Sequence, residues 1–243
     1  KTTLKFLINN KKEKNRKHYT KKVVFKDYYK SVYQIIKKNK YQTVLDIGCA
    51  NGALSFFADK KTKIVGLDLD KKLLNVAKSL NKQENKIFKN LNIFNKSSVA
   101  KKFIKDNNKK FDLITIFGTL HLFPDYKNTI KILTSLKPKM IIITTMLNEF
   151  ADVRIIYRRN SQKSWENTYN YFSKKGVKSE FSKKGYSVQI MNYKTKTFLK
   201  KISNSMRNYN FKLKNNKKIL VNELGLFLKE YLIISKLKKT SKK

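Results

Sequence analysis

Short apolar runs alternate with amphipathic stretches between residues 43 and 145. The apolar runs, which predict strands, are Thr43–Ile47, Lys63–Leu67, Lys86–Lys89, Phe111–Phe117 and Met140–Thr144. The stretches with apolar residues at helical spacing are Ala53–Asp59, Lys71–Leu80, Val99–Lys105 and Tyr126–Leu136. Strands and helices that alternate at this spacing predict a mostly parallel, doubly wound α/β sheet with helices on both faces.

The segments on either side carry weaker patterns. Residues 1–40 comprise a basic, Lys- and Asn-rich arm and a predicted amphipathic helix over Val23–Lys38. Ser173 is a predicted N-cap, and Gly185 ends the helix that Ser173 begins. A strand is predicted next, over Tyr186–Tyr193.

The last part of the chain predicts a hairpin, a helix and a basic tail. Asn215-Asn216 suits the hairpin turn because asparagine tolerates a positive φ. The helix is predicted from about Leu224 to Lys236, and it either packs on the core or rests on an anionic membrane beside its lysines. We expect the hairpin and helix to extend the sheet and cover one face. The expected regions of the chain are residues 1–40, 41–200 and 201–243.

Lysine dominates the composition: the formal net charge is +41, and only five of the 57 basic residues are arginine. Such a charge favours nucleic acid or an anionic membrane as a partner. The Lys, Asn, Ile, Phe and Tyr profile is also what an AT-rich genome produces, and both explanations stay open. One cysteine and two histidines argue against a disulfide framework and a Cys- or His-built metal centre. We expect a cytoplasmic protein without a signal peptide or a metal site.

A glycine-rich turn follows the first predicted strand, over Val44–Gly52. Gly48 allows a tight turn there, and the small residues after it allow the backbone to approach a ligand closely. The next predicted strand ends at Asp68, 22 residues after Asp46. An acid at that spacing can accept hydrogen bonds from both hydroxyls of a ribose.

This arrangement resembles the class I S-adenosylmethionine-dependent methyltransferases over roughly residues 41–145. The motifs that carry the resemblance are Asp46-x-Gly-Cys-x-x-Gly, Asp68, Phe111-Asp112-Leu113-Ile114 and Leu136-Lys137-Pro138. Nucleotide oxidoreductases share the turn but usually have a third glycine near the position of Phe56, which this chain lacks. The resemblance implies a Rossmann-like fold with a seven-stranded sheet, a methyltransferase activity and S-adenosylmethionine as the cofactor.

The resemblance also implies the positions that contact the cofactor. These are Asp46, Gly48, Cys49, Ala50, Gly52, Asp68, Leu69, Asn92, Ile93, Phe117 and Gly118. The resemblance implies that the turn residues form a floor beneath the methionine part of the cofactor. Asp46 then holds the amino group of that methionine part. Asp68 takes the ribose, and Leu69 packs near the adenine. Asn92 stands where the family often has an acid that bonds the adenine amino group. Phe117 and Gly118 lie beside the sulfonium.

His121 is the candidate catalytic residue. Methyl transfer is an in-line displacement, so the enzyme mainly positions the acceptor and the sulfonium. His121 follows the fourth predicted strand, at the edge of the sheet where such folds bind ligands. Its neutral imidazole would be a competent base for an oxygen acceptor at about pH 7, and many small-molecule members of the family carry a histidine in this loop. The alternative is that His121 only anchors the loop or caps the following helix.

Residues 146–172 show no regular pattern but concentrate arginines and aromatic residues. Arginine forks pair bidentately with carboxylates and phosphates, and aromatic side chains suit the walls of a pocket. We therefore expect residues 148–172 to recognise an anionic or sugar-containing acceptor. The candidate residues are Arg154, Arg158, Arg159, Trp165 and Tyr169. The alternative is a charged helical face with surface salt bridges.

The residues after the fourth predicted strand bear on the acceptor class. Exocyclic-amine nucleic-acid methyltransferases carry Asn/Asp-Pro-Pro-aromatic there, whereas this chain has Ile116-Phe117-Gly118-Thr119. The Lys-Asp-Lys-Glu set of ribose 2′-oxygen enzymes is also absent from the sequence. The favoured function is methyl transfer to a small molecule, at oxygen. An RNA methyltransferase, a non-catalytic cofactor-binding module and a peripheral membrane enzyme are the alternatives, and no obligate protein partner is inferred.

Overall fold

Strands and helices alternate along the part of the chain that the computed structural model describes, residues 27–56, 58–159, 165–193, 208–212, 218–222 and 230–238. Its α-helices are α1 (Asp27–Lys38), α2 (Lys71–Leu80), α3 (Ser98–Asp106), α4 (Tyr126–Ser135) and α5 (Lys174–Lys183). Its strands are β1 (Thr43–Ile47), β2 (Lys63–Asp68), β3 (Lys86–Asn90), β4 (Leu113–Phe117), β5 (Met140–Asn148), β6 (Val153–Arg159), β7 (Trp165–Ser173), β8 (Tyr186–Tyr193), β9 (Asn208–Lys212), β10 (Lys218–Asn222) and β11 (Glu230–Leu237). Single turns of 3₁₀-helix lie at Ala53–Phe56 and Leu120–Leu122.

Seven strands form one continuous path of hydrogen-bonded neighbours in the order β3-β2-β1-β4-β5-β11-β8. The pairs from β3 to β5 are parallel, and β11 runs antiparallel to both of its neighbours. The expected mostly parallel, doubly wound sheet is therefore confirmed. The seven strands of this path match the expected number, and β6 and β7 beside β5 bring the whole sheet to nine strands. The chain order reverses between β1 and β4, and ligands bind such sheets at the carboxyl ends of the strands beside this switch point.

Both faces of the sheet are covered. Leu45 packs on the face that α3, α4 and α5 cover, whereas Val44 packs with α1 on the other face. A strand buried on both faces shows a near-continuous apolar run in the sequence, and this is why such runs predict β1, β4 and β5 well. In the part of the chain just described, no helix is long and apolar enough to cross a membrane.

The predicted C-terminal helix is wrong where the structure describes it. Leu224–Lys236 was expected to be helical, but Glu230–Leu237 forms β11, while residues 224–229 lie outside the described residues. β11 lies between β5 and β8, and its Ile233 and Ser235 are fully buried. A short apolar run that is covered on both sides cannot be told from a buried helix by periodicity alone. Residues Glu230–Leu237 therefore form neither a helix packed on the core nor a helix resting on a membrane.

The stretch over residues 146–172 is regular, contrary to the sequence prediction. β5 continues to Asn148, and β6 and β7 form an antiparallel hairpin that joins the end of β5 over two residue pairs. The alternative of a charged helical face is wrong because Arg154, Arg158 and Arg159 all lie in β6. Tyrosine and β-branched residues, which are frequent in this stretch, fit a pleated, half-buried surface.

Other predictions differ in smaller ways. The helix expected over Ala53–Asp59 is only the 3₁₀ turn Ala53–Phe56. The C-terminal hairpin is confirmed as the antiparallel pair β9–β10, but it forms a separate two-stranded sheet and does not extend the main one. Its expected turn at Asn215-Asn216 lies outside the described residues, as does the arm over residues 1–26 with the start of the predicted first helix.

Asp112 ties the amino ends of β1 and β4 together. Its Oδ2 accepts the N–H groups of Gln42 and Thr43 at 2.8 and 3.0 Å, and its Oδ1 lies 2.7 Å from Nζ of Lys139. Burial raises the pKa of the Asp112 carboxyl, but the Lys139 ammonium and the N–H donors outweigh burial, and the pKa lies below its ordinary value. Asp112 therefore has a structural role, at the edge opposite the switch point.

Asp112→Ala should lower the free energy of unfolding by about 2–3 kcal/mol, because two backbone N–H groups and Lys139 lose a charged partner. Since the pKa is depressed, this contribution is complete above pH 3.8 and is lost as the pH falls through the folded-state pKa. Urea unfolding of both proteins at several pH values measures the difference, with the exposed Asp106→Ala as the control. A stability difference that stays constant into the acid range would contradict this account.

Candidate active site

The chain turns sharply at the carboxyl end of β1, over residues 48–52, here called the glycine turn. The N–H groups of Gly48 and Cys49 both donate to the carbonyl oxygen of Leu67, at 2.8 and 3.1 Å, which fixes the turn against the end of β2. Gly48 has a φ of +72°, and a Cβ added to it would lie 2.8 Å from Cγ2 of Thr119. Both the backbone conformation and the contact with the loop after β4 therefore require glycine here.

The rest of the glycine turn packs against β3 and α2. Gly52 has a φ of +74°, and a Cβ there would lie 2.9 Å from the ring of Phe88. Ala50 also has a positive φ, +47°, which is strained for a residue with a side chain. Cys49 is buried with α2 and Phe88, and burial raises the pKa of its thiol. Its place in the structure is that of a small packing residue rather than a nucleophile.

Asp68, the last residue of β2, holds two turns together. Its Oδ2 accepts the N–H of Ala50 and its Oδ1 accepts the N–H of Asp70, both at 2.8 Å. Each carboxylate oxygen keeps a further lone pair that can accept a bond from a ligand. Leu69 is 66% exposed, so a large apolar side chain stands open directly after this carboxylate in the chain.

Two buried side chains lie below the turns, in β1 and β4. Asp46 is only 4% exposed, and the hydroxyl of Thr115 donates to its Oδ1 at 2.7 Å. Burial raises the pKa of Asp46 to about 7, with a smaller rise from the charge of Asp68 and a decrease from the Thr115 hydrogen bond. Phe117 is buried at the end of β4, where the ring of Tyr29 meets it edge-on at 5.4 Å.

The end of β3 and the loop after it add two asparagines. Asn90 stands opposite Asp68 in the strand register, and its Nδ2 donates to the Asp68 carbonyl at 3.0 Å. Oδ1 of Asn92 accepts the N–H of Phe94 at 2.9 Å, and Ile93 is buried. Asn90 lies outside the motifs from which the cofactor residues are predicted. The available signal was its position at the carboxyl end of a parallel strand.

The loop over residues 118–124, here called the post-β4 loop, leaves open space beside the glycine turn. A Cβ added to Gly118, whose φ is +62°, would meet no atom within 4 Å. The buried hydroxyl of Thr119 has no hydrogen-bond partner among the described residues. His121 follows in the 3₁₀ turn and is half-buried. Thr119 was missed by sequence reasoning because only the folded chain brings it to Gly48.

The β6–β7 hairpin brings one of the predicted acceptor residues to the post-β4 loop. Arg154 donates from Nη2 to the carbonyl of Pro124 at 3.0 Å and from Nε to Oδ1 of Asn170 at 2.9 Å. Arg158 lies roughly 13 Å further along β6 at a strand's rise per residue. The side chains of the four other predicted acceptor residues lie outside the described structure; these residues are Arg158, Arg159, Trp165 and Tyr169.

Gly48→Ala should destabilise the protein more than Gly118→Ala, although both glycines have a positive φ. The second variant carries only the backbone strain, about 1–2 kcal/mol. The first adds a clash with Thr119, which should cost about 1–3 kcal/mol more. Thermal or urea unfolding of the matched pair measures the difference. Equal losses of stability would show that Thr119 does not press on Gly48.

Comparisons with known proteins agree with this arrangement. A family model described as a methyltransferase domain matches residues 38–195. The YcgJ protein from Bacillus subtilis is 16% identical, with a TM-score of 0.55 over 87% of this chain and 99% of that one. Magnesium protoporphyrin IX methyltransferase (ChlM) from Synechocystis PCC 6803, solved with bound SAH, is 12% identical, with a TM-score of 0.52 over 87% of this chain and 82% of that one. The N-terminal domain of EvdMO1, also solved with SAH bound, is 10% identical, with a TM-score of 0.55 over 87% and 80%.

No curated protein matches the sequence. The identities to the solved structures are low, and these likenesses establish the shared fold. The family model spans well over half of the 243 residues and includes the glycine turn, Asp68 and the post-β4 loop. The chain therefore belongs to the methyltransferase domain family and is a methyltransferase.

Proposed function

We propose that this methyltransferase uses S-adenosylmethionine and methylates an oxygen atom of a small molecule that carries an anionic group or a sugar ring. The glycine turn at the switch point of the sheet is the observation that carries the cofactor proposal. The SAH bound to ChlM and to EvdMO1 supports the same cofactor class. S-adenosylmethionine supplies an electrophilic methyl group on a positively charged sulfur.

The residues present fit this cofactor. The glycine turn lets a ligand approach the backbone closely, and the unpartnered hydroxyl of Thr119 offers a buried group for a polar atom of the ligand. Asp46 faces a cationic amino group, Asp68 accepts from the ribose hydroxyls, and the exposed Leu69 supplies an apolar surface for the adenine. The full set of proposed cofactor residues is Asp46, Gly48, Cys49, Ala50, Gly52, Asp68, Leu69, Asn92, Ile93, Phe117 and Gly118.

His121 acts as the base toward the acceptor oxygen in this proposal. It lies in the post-β4 loop, three residues after Gly118. An imidazole that is neutral at about pH 7 can take the proton from a hydroxyl as the new carbon–oxygen bond forms.

The acceptor segment is the β6–β7 hairpin. Arg154 uses two of its five N–H donors on the protein, which leaves three for an anionic group. The four other proposed acceptor residues, which lie in the same hairpin, are Arg158, Arg159, Trp165 and Tyr169.

Binding of S-adenosylmethionine should release a proton from Asp46 near neutral pH. Because burial raises the pKa of this carboxyl to about 7, the carboxyl gains and loses its proton near neutral pH. A cationic amino group favours the ionised form, so the affinity should rise with pH up to about 7 and then level off. Isothermal titration calorimetry in buffers of different ionisation enthalpy measures the proton release.

Two variants assign the proton. Asp46→Asn should abolish the release, His121→Gln should leave it in place, and Asp106→Asn serves as the exposed control. Binding without any proton release between about pH 6 and 8 would contradict the assignment to Asp46. Absence of binding would overturn the cofactor proposal itself.

His121→Ala should lower turnover by about 10²-fold or more and leave the affinity for S-adenosylmethionine within about twofold. The measurement is formation of the demethylated cofactor with a panel of hydroxy acids, sugar phosphates and RNA oligonucleotides. His18→Ala, at the other histidine of the chain, is the control. Unchanged turnover would leave His121 only its anchoring role, and methylation of RNA but of no small acceptor would contradict the proposed acceptor class.

A further inference from the structure

Asn170 of β7 is buried against the post-β4 loop. It is 3% exposed, and its Nδ2 donates to the carbonyl of Phe123 at 2.9 Å and, more distantly, to that of His121 at 3.4 Å. An asparagine amide can donate two hydrogen bonds from this nitrogen, and both donors are directed to the same loop. Its oxygen accepts a third bond, from Nε of Arg154.

Arg154 completes the connection between the hairpin and the loop. It stands directly opposite Asn170 in the β6–β7 register, and its Nη2 reaches the carbonyl of Pro124 at 3.0 Å. Arg154 and Asn170, here called the clasp, thus hold the carbonyls of His121, Phe123 and Pro124. Each bond comes from a side chain that is fixed on a strand.

The clasp adds to the other contacts of this loop, which include the bond from the N–H of Gly118 to the carbonyl of Thr144 and the fully buried side chain of Leu120. The 3₁₀ turn at Leu120–Leu122 has only three residues, and runs this short have poor hydrogen-bond geometry of their own. Its internal bonds are those from the N–H of Leu122 to Thr119 and from the N–H of Phe123 to Leu120. Losing the clasp would leave the carbonyls of His121, Phe123 and Pro124 without these side-chain donors.

We propose that Arg154 and Asn170 are positioning residues that set the orientation of His121. This inference rests on the proposed function, because that function gives His121 a part in methyl transfer. The hydrogen bonds of the clasp do not depend on the proposed function. It also changes the part of Arg154: this side chain connects the proposed acceptor segment to the loop that carries the proposed base. An acceptor bound at the hairpin would therefore contact an element that is hydrogen-bonded to the loop of His121.

Histidine NMR tests the proposal in the full chain without cofactor or acceptor. The chain has two histidines, His18 and His121, so selective labelling gives two sets of ring signals, which His18→Gln assigns. Asn170→Asp keeps an oxygen for Arg154 but removes both Nδ2 donors, because an ionised carboxylate only accepts hydrogen bonds. Its His121 signals should move by more than their line width or split into several, and those of His18 should not.

Two further variants keep the test decisive. Arg154→Lys, at an exposed side chain, should shift the His121 signals in the same direction by a smaller amount, even if Asn170→Asp does not fold. Asn108→Ala is the matched control, because Asn108 also donates from Nδ2 to a backbone carbonyl, that of Ser135 at the end of α4, at 2.6 Å, and this bond does not involve the post-β4 loop. It should leave both histidines unchanged.

Unchanged His121 signals in folded Asn170→Asp and in Arg154→Lys would overturn the positioning role, whatever happens to the melting temperature. A failure of S-adenosylmethionine to bind the wild-type protein would instead refute the proposed function. Because the NMR measurement needs no ligand, the two failures are distinguishable.

Discussion

The carboxylate of Asp68 is the contact on which the geometry of the site depends most. It accepts the N–H groups of Ala50 and Asp70, one in each of the turns that follow β1 and β2. The bond to Ala50 holds a residue whose positive φ is unfavourable for a side chain. Parallel pairing of β1 with β2 brings the two strand ends to the same edge, so the register of this pair decides whether the site forms.

The electrostatics of the site differ from those of the whole chain. A formal charge of +41 describes a surface rich in lysine, but the residues at the carboxyl ends of β1 and β2 include the acids Asp46, Asp68 and Asp70. Burial of Asp46 makes its charge depend on pH near neutrality. A cationic ligand would therefore meet a locally negative site in a strongly basic protein, and the net charge alone says little about the ligand at this edge.

The β6–β7 hairpin combines two tasks in one element. It supplies the proposed acceptor side chains, and its Asn170 and Arg154 bond to the backbone of the post-β4 loop. Such a loop carries functional groups most accurately when a rigid element supports it. The hairpin is itself anchored by pairing with the last two residues of β5, so the loop is supported from the central sheet.

The sequence by itself determined the local features: the parallel core strands, the glycine turn, Asp68, and the helix that Ser173 caps and Gly185 ends. These features depend on the periodicity of apolar residues or on the backbone conformation that a single residue allows. Both can be read from residues that are close together in the chain. Three features depend on the tertiary fold: Glu230–Leu237 is a strand between β5 and β8, Thr119 occupies the space that a Cβ at Gly48 would need, and Asn170 holds the post-β4 loop. Each of these joins residues that are far apart in the chain, and the preference of a short segment for strand, helix or loop is then decided by the partners that bury it.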